Sequence, residues 1–190
     1  MMLDTQLATG AQALLTTPAA GKFYRSAGMW AEQTQSFAVD EGAELEWLPQ
    51  ETILQGGSLT DLQTRFQLAA QARLLAWDVL CLGRPGSGDH FATGACRQRL
   101  YVERAGTPLL DEQLRLVAGD AMLHAPYGLA GHSVVGTLLA LPVDVEAAAQ
   151  VKDVAEADRL HCGVSRIDDL LICRCLGDGA EEVRSLLERL

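Results

Sequence analysis

As far as Ala140 the chain reads as short apolar runs broken by glycine and polar turns, with no sustained helical period. Recurring glycines such as Gly10, Gly28, Gly42, Gly57 and Gly83 punctuate these runs at intervals that suit short strands joined by turns. Strands are predicted over Thr34 to Val39, Thr64 to Leu68, Leu100 to Glu103, Gln113 to Val117, Val134 to Leu141 and Leu170 to Leu176, each bounded by Gly, Pro or Asp. The connection from Gly83 to Gly94 reads as an exposed loop.

A faint recurrence runs through the same region. Leu7-Ala8-Thr9-Gly10-Ala11, Val39-Asp40-Glu41-Gly42-Ala43 and Leu68-Ala69-Ala70-Gln71-Ala72 each place an apolar residue, a turn and then an alternating run. The runs continue as Ala11, Ala13, Leu15; as Ala43, Leu45, Trp47; and as Ala72, Leu74, Ala76. Offsets of 32 and 29 residues (7 to 39, 39 to 68) lie in the range where repeated units stack into solenoids or layered sheets.

After Pro142 the pattern changes. Asp144 to Asp158 is rich in Ala and Glu, with Val145, Ala148, Val151 and Ala155 at helical spacing behind an Asp cap. A second helix is predicted from about Ala180 to Leu190, where Val183, Leu186, Leu187 and Leu190 share a face. No linker divides the chain, so residues 1–190 are read as one domain: mainly β, a layered or solenoid-like β-sheet scaffold with two C-terminal helices.

Composition narrows the function. With 48% hydrophobic residues among 190, one ordinary core is expected. No run of about 18 apolar residues occurs, and the first residues carry neither a basic flank nor an apolar stretch, so a cytoplasmic protein with no membrane association is expected. The net charge of −10 makes nucleic acid a poor partner. The five scattered cysteines form an odd set, and reduced thiols are expected.

Candidate chemistry is sparse. Ser87, Asp89 and His90 lie close in sequence, but Gly-Arg-Pro-Gly-Ser-Gly-Asp-His-Phe lacks the nucleophile elbow of a hydrolase and the Gly-Lys-Ser/Thr of a phosphate loop. Cys173 and Cys175 share a face in a strand, and with His161 and Cys162 they offer either a metal-capable group or the small filling of a buried strand. His90, His124 and His132 show no ligand spacing. Glu44 and Glu46 bracket Leu45, and Glu51 follows the bend at Pro49; such a row serves either as a solvated strand face or as an oxygen-lined passage for a cation.

Three strings go further. Leu15-Thr-Thr-Pro-Ala-Ala-Gly-Lys-Phe-Tyr-Arg-Ser26, Leu45-Glu-Trp-Leu-Pro-Gln-Glu-Thr-Ile53 and Leu75-Ala-Trp-Asp-Val-Leu-Cys-Leu-Gly-Arg84 resemble, in order and spacing, segments of urease accessory protein D, called H in some organisms. Weaker likeness continues through Gly94, Arg99, Pro108 to Glu112 and Val135 to Leu139 and covers nearly the whole chain. Family members begin several dozen residues earlier, so an N-terminally shortened chain is expected.

The resemblance implies a β-rich scaffold and not a catalyst. It implies partners, accessory proteins F and G and apo-urease, and no tightly bound cofactor, with nickel in transit to the urease centre. Glu46, Glu51, Asp78 and Glu112 lie in or beside the family-like segments and are the candidates for transient nickel passage, because oxygen ligands bind nickel weakly and release it readily. Lys22, Tyr24, Arg25 and Arg84 are the candidate partner contacts. The alternatives are a β-rich interaction module without metal transfer, or a small metal or thiol enzyme.

Overall fold

A computed structural model describes all of residues 1–190. The chain winds as stacked coils, each contributing a strand to one sheet, a turn, and a strand to a second sheet. The first sheet runs β1 (Met2–Leu7), β4 (Ala31–Val39), β7 (Leu59–Leu68), β9 (Ala95–Arg104) and β10 (Thr107–Val117). Its first four strands are parallel, and β9 and β10 close it as an antiparallel hairpin.

The second sheet runs β12 (His161–Ile167), β13 (Leu170–Gly177), β11 (Val134–Leu141), β8 (Arg73–Leu82), β5 (Glu44–Trp47) and β2 (Gln12–Leu15). Two short strands, β3 (Gly21–Phe23) and β6 (Thr52–Leu54), extend this sheet through β8. Pairing is parallel from β2 to β8 and antiparallel from β8 to β12.

The recurrence in the sequence is the stacking register itself. Leu7 pairs with Val39 and Val39 with Leu68 in the first sheet, while Gln12 pairs with Glu44 and Glu44 with Arg73 in the second. The turns stack as well: Asp40 N–H donates to Leu7 O at 3.0 Å and Ala69 N–H to Val39 O at 2.9 Å. The periodic apolar residues therefore form continuous columns, each coil burying what its neighbour alone would leave exposed.

Two helices cover the far face of the second sheet: α1 (Val145–Ala157) and α2 (Ala180–Leu187). Asp144 caps α1 by accepting from Ala147 N–H at 2.8 Å, as its position before the periodic run requires. Glu182 folds back to accept from Gly179 N–H at 3.0 Å at the start of α2. Close approach of α2 depends on Gly136: a Cβ there would stand 2.5 Å from Val183 Cγ1 and 2.8 Å from Cys175 Sγ.

The result is three layers. Between the sheets lie two apolar clusters, one around Phe37, Trp47 and Phe66, the other around Leu80, Phe91 and Leu116. Beneath the helices lies a third, around Val183, Leu186 and Cys173. The strands are longer than their apolar runs, because β4, β7, β9 and β10 continue into polar positions that ladder hydrogen bonds hold in place.

Two features differ from expectation. Strand β12 was not expected: it is an edge strand whose only apolar residues on one face, Cys162 and Val164, are half-buried against the cluster beneath the helices, too short an alternation to read as a strand. The segment from Gly83 to Gly94 is not simply an exposed loop: Phe91 is 2% exposed and anchors it in the second inter-sheet cluster.

Candidate functional site: a polar belt between the sheets

Strand alternation sends every second side chain of each strand between the sheets. Along β8 these are Leu74, Ala76, Asp78, Leu80 and Leu82, so one carboxylate interrupts an apolar series. Along β11 they are Val135, Thr137 and Leu139, and along β13 Ile172, Arg174 and Leu176. The opposing sheet repeats the interruption: Gln35 precedes Phe37 in β4, Thr64 lies between Leu62 and Phe66 in β7, Gln98 between Cys96 and Leu100 in β9, and Glu112 beside Leu114 in β10.

The register lines these residues up. Asp78, Thr137, Arg174 and Gly163 are successive partners across the second sheet, and Gln35, Thr64, Leu100 and Glu112 across the first. A polar belt thus separates the two inter-sheet apolar clusters. It encloses a cavity of about 350 Å³. The segment holding Met122, Tyr127 and Leu129 lines one side, and the exposed residues His161 and Gly163 bring the cavity to the surface at the β12 edge.

Within the belt, Gln98 Nε2 donates to Asp78 Oδ2 at 2.6 Å, and Thr64 Oγ1 donates to Gln35 Oε1 at 3.1 Å. Arg174 Nε donates to Glu112 Oε1 at 3.2 Å, and a second guanidinium nitrogen pairs with Oε2. Burial raises the Asp78 pKa, an effect that the Gln98 hydrogen bond only partly offsets. Burial also lowers the pKa of Arg174, although an arginine stays cationic. The belt therefore combines a carboxylate that resists ionisation with one that is already neutralised by an arginine.

Of the residues expected from the sequence to pass nickel, Asp78 and Glu112 meet in this cavity. Glu46 does not: Leu45 and Trp47 point between the sheets, so Glu46 stands exposed on the opposite face of β5. Glu51 is engaged by Arg184 Nη1 of α2 at 3.3 Å. Lys22, Tyr24, Arg25 and Arg84 are all exposed; the first three lie on or just after β3, and Arg84 just after β8. Gln35, Thr64, Gln98, Thr137 and Arg174 were not expected. Their signal in the sequence is a single polar residue at an inward position of an otherwise apolar alternation.

The remaining candidate chemistry is dispersed. Cys173 and Cys175 face the helices, with Cys81, in the apolar cluster, and burial pushes each of these thiols up to about 12. No group of three or more His, Cys, Asp or Glu side chains is arranged to hold a metal ion. Both Asp89 oxygens accept backbone N–H groups, from Gly56 at 2.8 Å and Phe91 at 3.0 Å, so Asp89 is spent on the loop and does not orient His90.

The three distinctive strings occupy successive coils. Thr16 Oγ1 donates to Leu48 O at 2.7 Å, Gln50 N–H donates to Thr17 Oγ1 at 2.9 Å, and Trp77 Nε1 donates to Pro49 O at 2.8 Å. They form a cross-coil brace where β2 gives way to β3, β5 to β6, and β8 passes both.

Fold and site together define a coiled two-sheet scaffold built around a carboxylate-bearing cavity. The chain belongs to the UreD family: the family profile described as UreD urease accessory protein matches residues 1–190. It is 48% identical over 189 residues to the urease accessory protein UreD of Alkalilimnicola ehrlichii, covering 98% of this chain and 64% of that protein. The UreD proteins of Dechloromonas aromatica and Pseudomonas putida are 40% and 39% identical, over 97% and 99% of this chain and 66% of each relative. The chain thus spans about two thirds of the length of these curated relatives.

Proposed function

We propose that this chain acts in urease maturation as a non-catalytic scaffold, in complex with accessory proteins F and G and apo-urease, and that nickel passes through its inter-sheet cavity. The observation that carries the reading is the juxtaposition of Asp78 and Glu112 in one cavity that opens at the β12 edge. Oxygen donors suit passage because they hold a borderline cation weakly. Because burial favours the neutral form of Asp78, a cation arriving there displaces a proton, and departure of the cation lets the proton return. The site so empties itself.

Glu46 and Glu51 belong to this reading as approaches outside the cavity, and Lys22, Tyr24, Arg25 and Arg84 as exposed contacts for the partners. The cytoplasm is the proposed compartment, in keeping with five unbridged cysteines. One observation favours the second reading, an interaction module without metal transfer: the Arg174 cation already neutralises Glu112 and opposes entry of another cation. Nickel passage requires Glu112 to exchange this partner for the metal.

The test replaces Asp78 and Glu112 by alanine and measures nickel in urease after maturation with the accessory complex. The expected outcome is a lower nickel content with the complex still assembled. Full nickel loading by the double variant leaves the interaction module as the better account.

A further inference from the structure

The chain has four histidines, spread from position 90 to position 161, and the fold gathers all of them at one end of the polar belt. His90, His124 and His132 line a cavity of about 180 Å³. The His132 ring lies against the His161 ring, centroids 4.9 Å apart and planes at 60°. His161 in turn lines the mouth of the inter-sheet cavity. The two cavities are therefore joined by an imidazole pair.

We propose that His132 and His161 form a two-imidazole loading site for a divalent borderline cation at the mouth of the inter-sheet cavity, approached past His90 and His124. Identifying the cation as nickel rests on the passage reading above. Spacing supports the pair. A metal–nitrogen bond of about 2.1 Å puts the centroids of two cis imidazoles on one ion roughly 4.6 to 5.3 Å apart, for angles between tetrahedral and square. The observed 4.9 Å falls inside that range.

Orientation supports it too. His132 Nδ1 lies 3.3 Å from Asp178 Oδ1, and in the tautomer that donates from Nδ1–H to this carboxylate the Nε2 lone pair is left for a metal. Asp178 is the positioning residue in this arrangement. Imidazole is a better donor than carboxylate for nickel, so the mouth captures and the belt beyond it releases. No third His, Cys, Asp or Glu completes a metal-holding group, so water fills the remaining positions and the ion stays exchangeable.

The purified full chain, labelled with ¹⁵N at histidine, is titrated with Ni²⁺ while the imidazole resonances are followed. Paramagnetic broadening should strike His132 and His161 first. His132→Asn with His161→Asn should weaken Ni²⁺ binding at least about tenfold, and Asp178→Asn roughly tenfold. Broadening that spares this pair, or unchanged affinity in the double variant, overturns the proposal; the first readout needs no variant and is independent of any folding defect. The two readings fail separately. If the pair binds Ni²⁺ but the Asp78 and Glu112 variants still load urease fully, the loading site stands and the passage falls. If the pair is silent while those variants starve urease, the passage stands and the loading site falls.

Discussion

Strand β13 shows two different interiors within eight residues. On one side Cys173 and Cys175 meet α2 in a dry, close-fitted layer where an added methyl at Gly136 has no room. On the other side Arg174 reaches into a roomy polar cavity shared with Asp78 and Glu112. Both sides carry side chains able to bind a metal in principle, yet their surroundings separate them. Burial favours the protonated form of the thiols and of Asp78 alike, but the thiols are wrapped in aliphatic side chains, whereas Asp78 accepts from Gln98 and faces a cavity that gives it access. Chemistry here follows the space around a donor more than its identity.

The largest test of this contrast uses neighbouring positions in β11. Gly136→Ala drives a methyl into Val183 and Cys175 and should cost about 1–3 kcal/mol, a fall in melting temperature on the order of 5 °C. Thr137→Val points the other way, into the cavity, and should leave the melting temperature nearly unchanged. Comparable losses for both variants, read by thermal unfolding, would mean that the inter-sheet layer is as tightly filled as the helical one.

A smaller effect is expected from Asp78→Asn. The folded-state pKa of Asp78 is raised above that of the unfolded chain, so the native protein holds this proton more tightly. Stability therefore falls as pH rises through the window from about 3.9 up to the raised native value. An asparagine still accepts from Gln98 and carries no charge to bury. The variant should be the more stable at neutral pH, and its advantage should vanish as pH drops below the ordinary carboxylate range. Urea unfolding across that range checks the sign, and a variant less stable than its parent at neutral pH contradicts the assignment.

The two interiors also differ in how far they were legible from the sequence. The helical layer was written in apolar spacing: Val183, Leu186 and Leu187 announced α2, and the offsets from Leu7 to Val39 to Leu68 were the coil register. Asp78 and Glu112 were singled out, but the belt that joins them was not, because register is a property of pairing. Gln98 meets Asp78 only after twenty residues of chain have closed, and Arg174 meets Glu112 across 62. The histidines were least legible. His132 lies in a turn segment and His161 at the start of an edge strand whose apolar face is only Cys162 and Val164, so nothing local marked their meeting.

The smallest functional effect is expected at the cysteines, and it sharpens the contrast from the dry side. Thiols with pKa near 12 are ionised to only about one part in ten thousand at pH 8, and the thiolate is the form that ligates metals and attacks disulfide reagents. Of the five cysteines only Cys162, on the edge strand, is partly exposed, and burial and nearby Asp158 raise its pKa as well. An aromatic disulfide reagent added to the native chain should therefore react slowly, with Cys162 first, and reach all five thiols promptly once the chain is unfolded. Cys173→Ala with Cys175→Ala should lose some stability through the voids left beneath α2, yet leave the nickel content of matured urease unchanged. Rapid native labelling of Cys173 or Cys175, together with nickel-poor urease from the double variant and normal loading by the Asp78 and Glu112 variants, would move the proposed metal path from the belt to the helical layer.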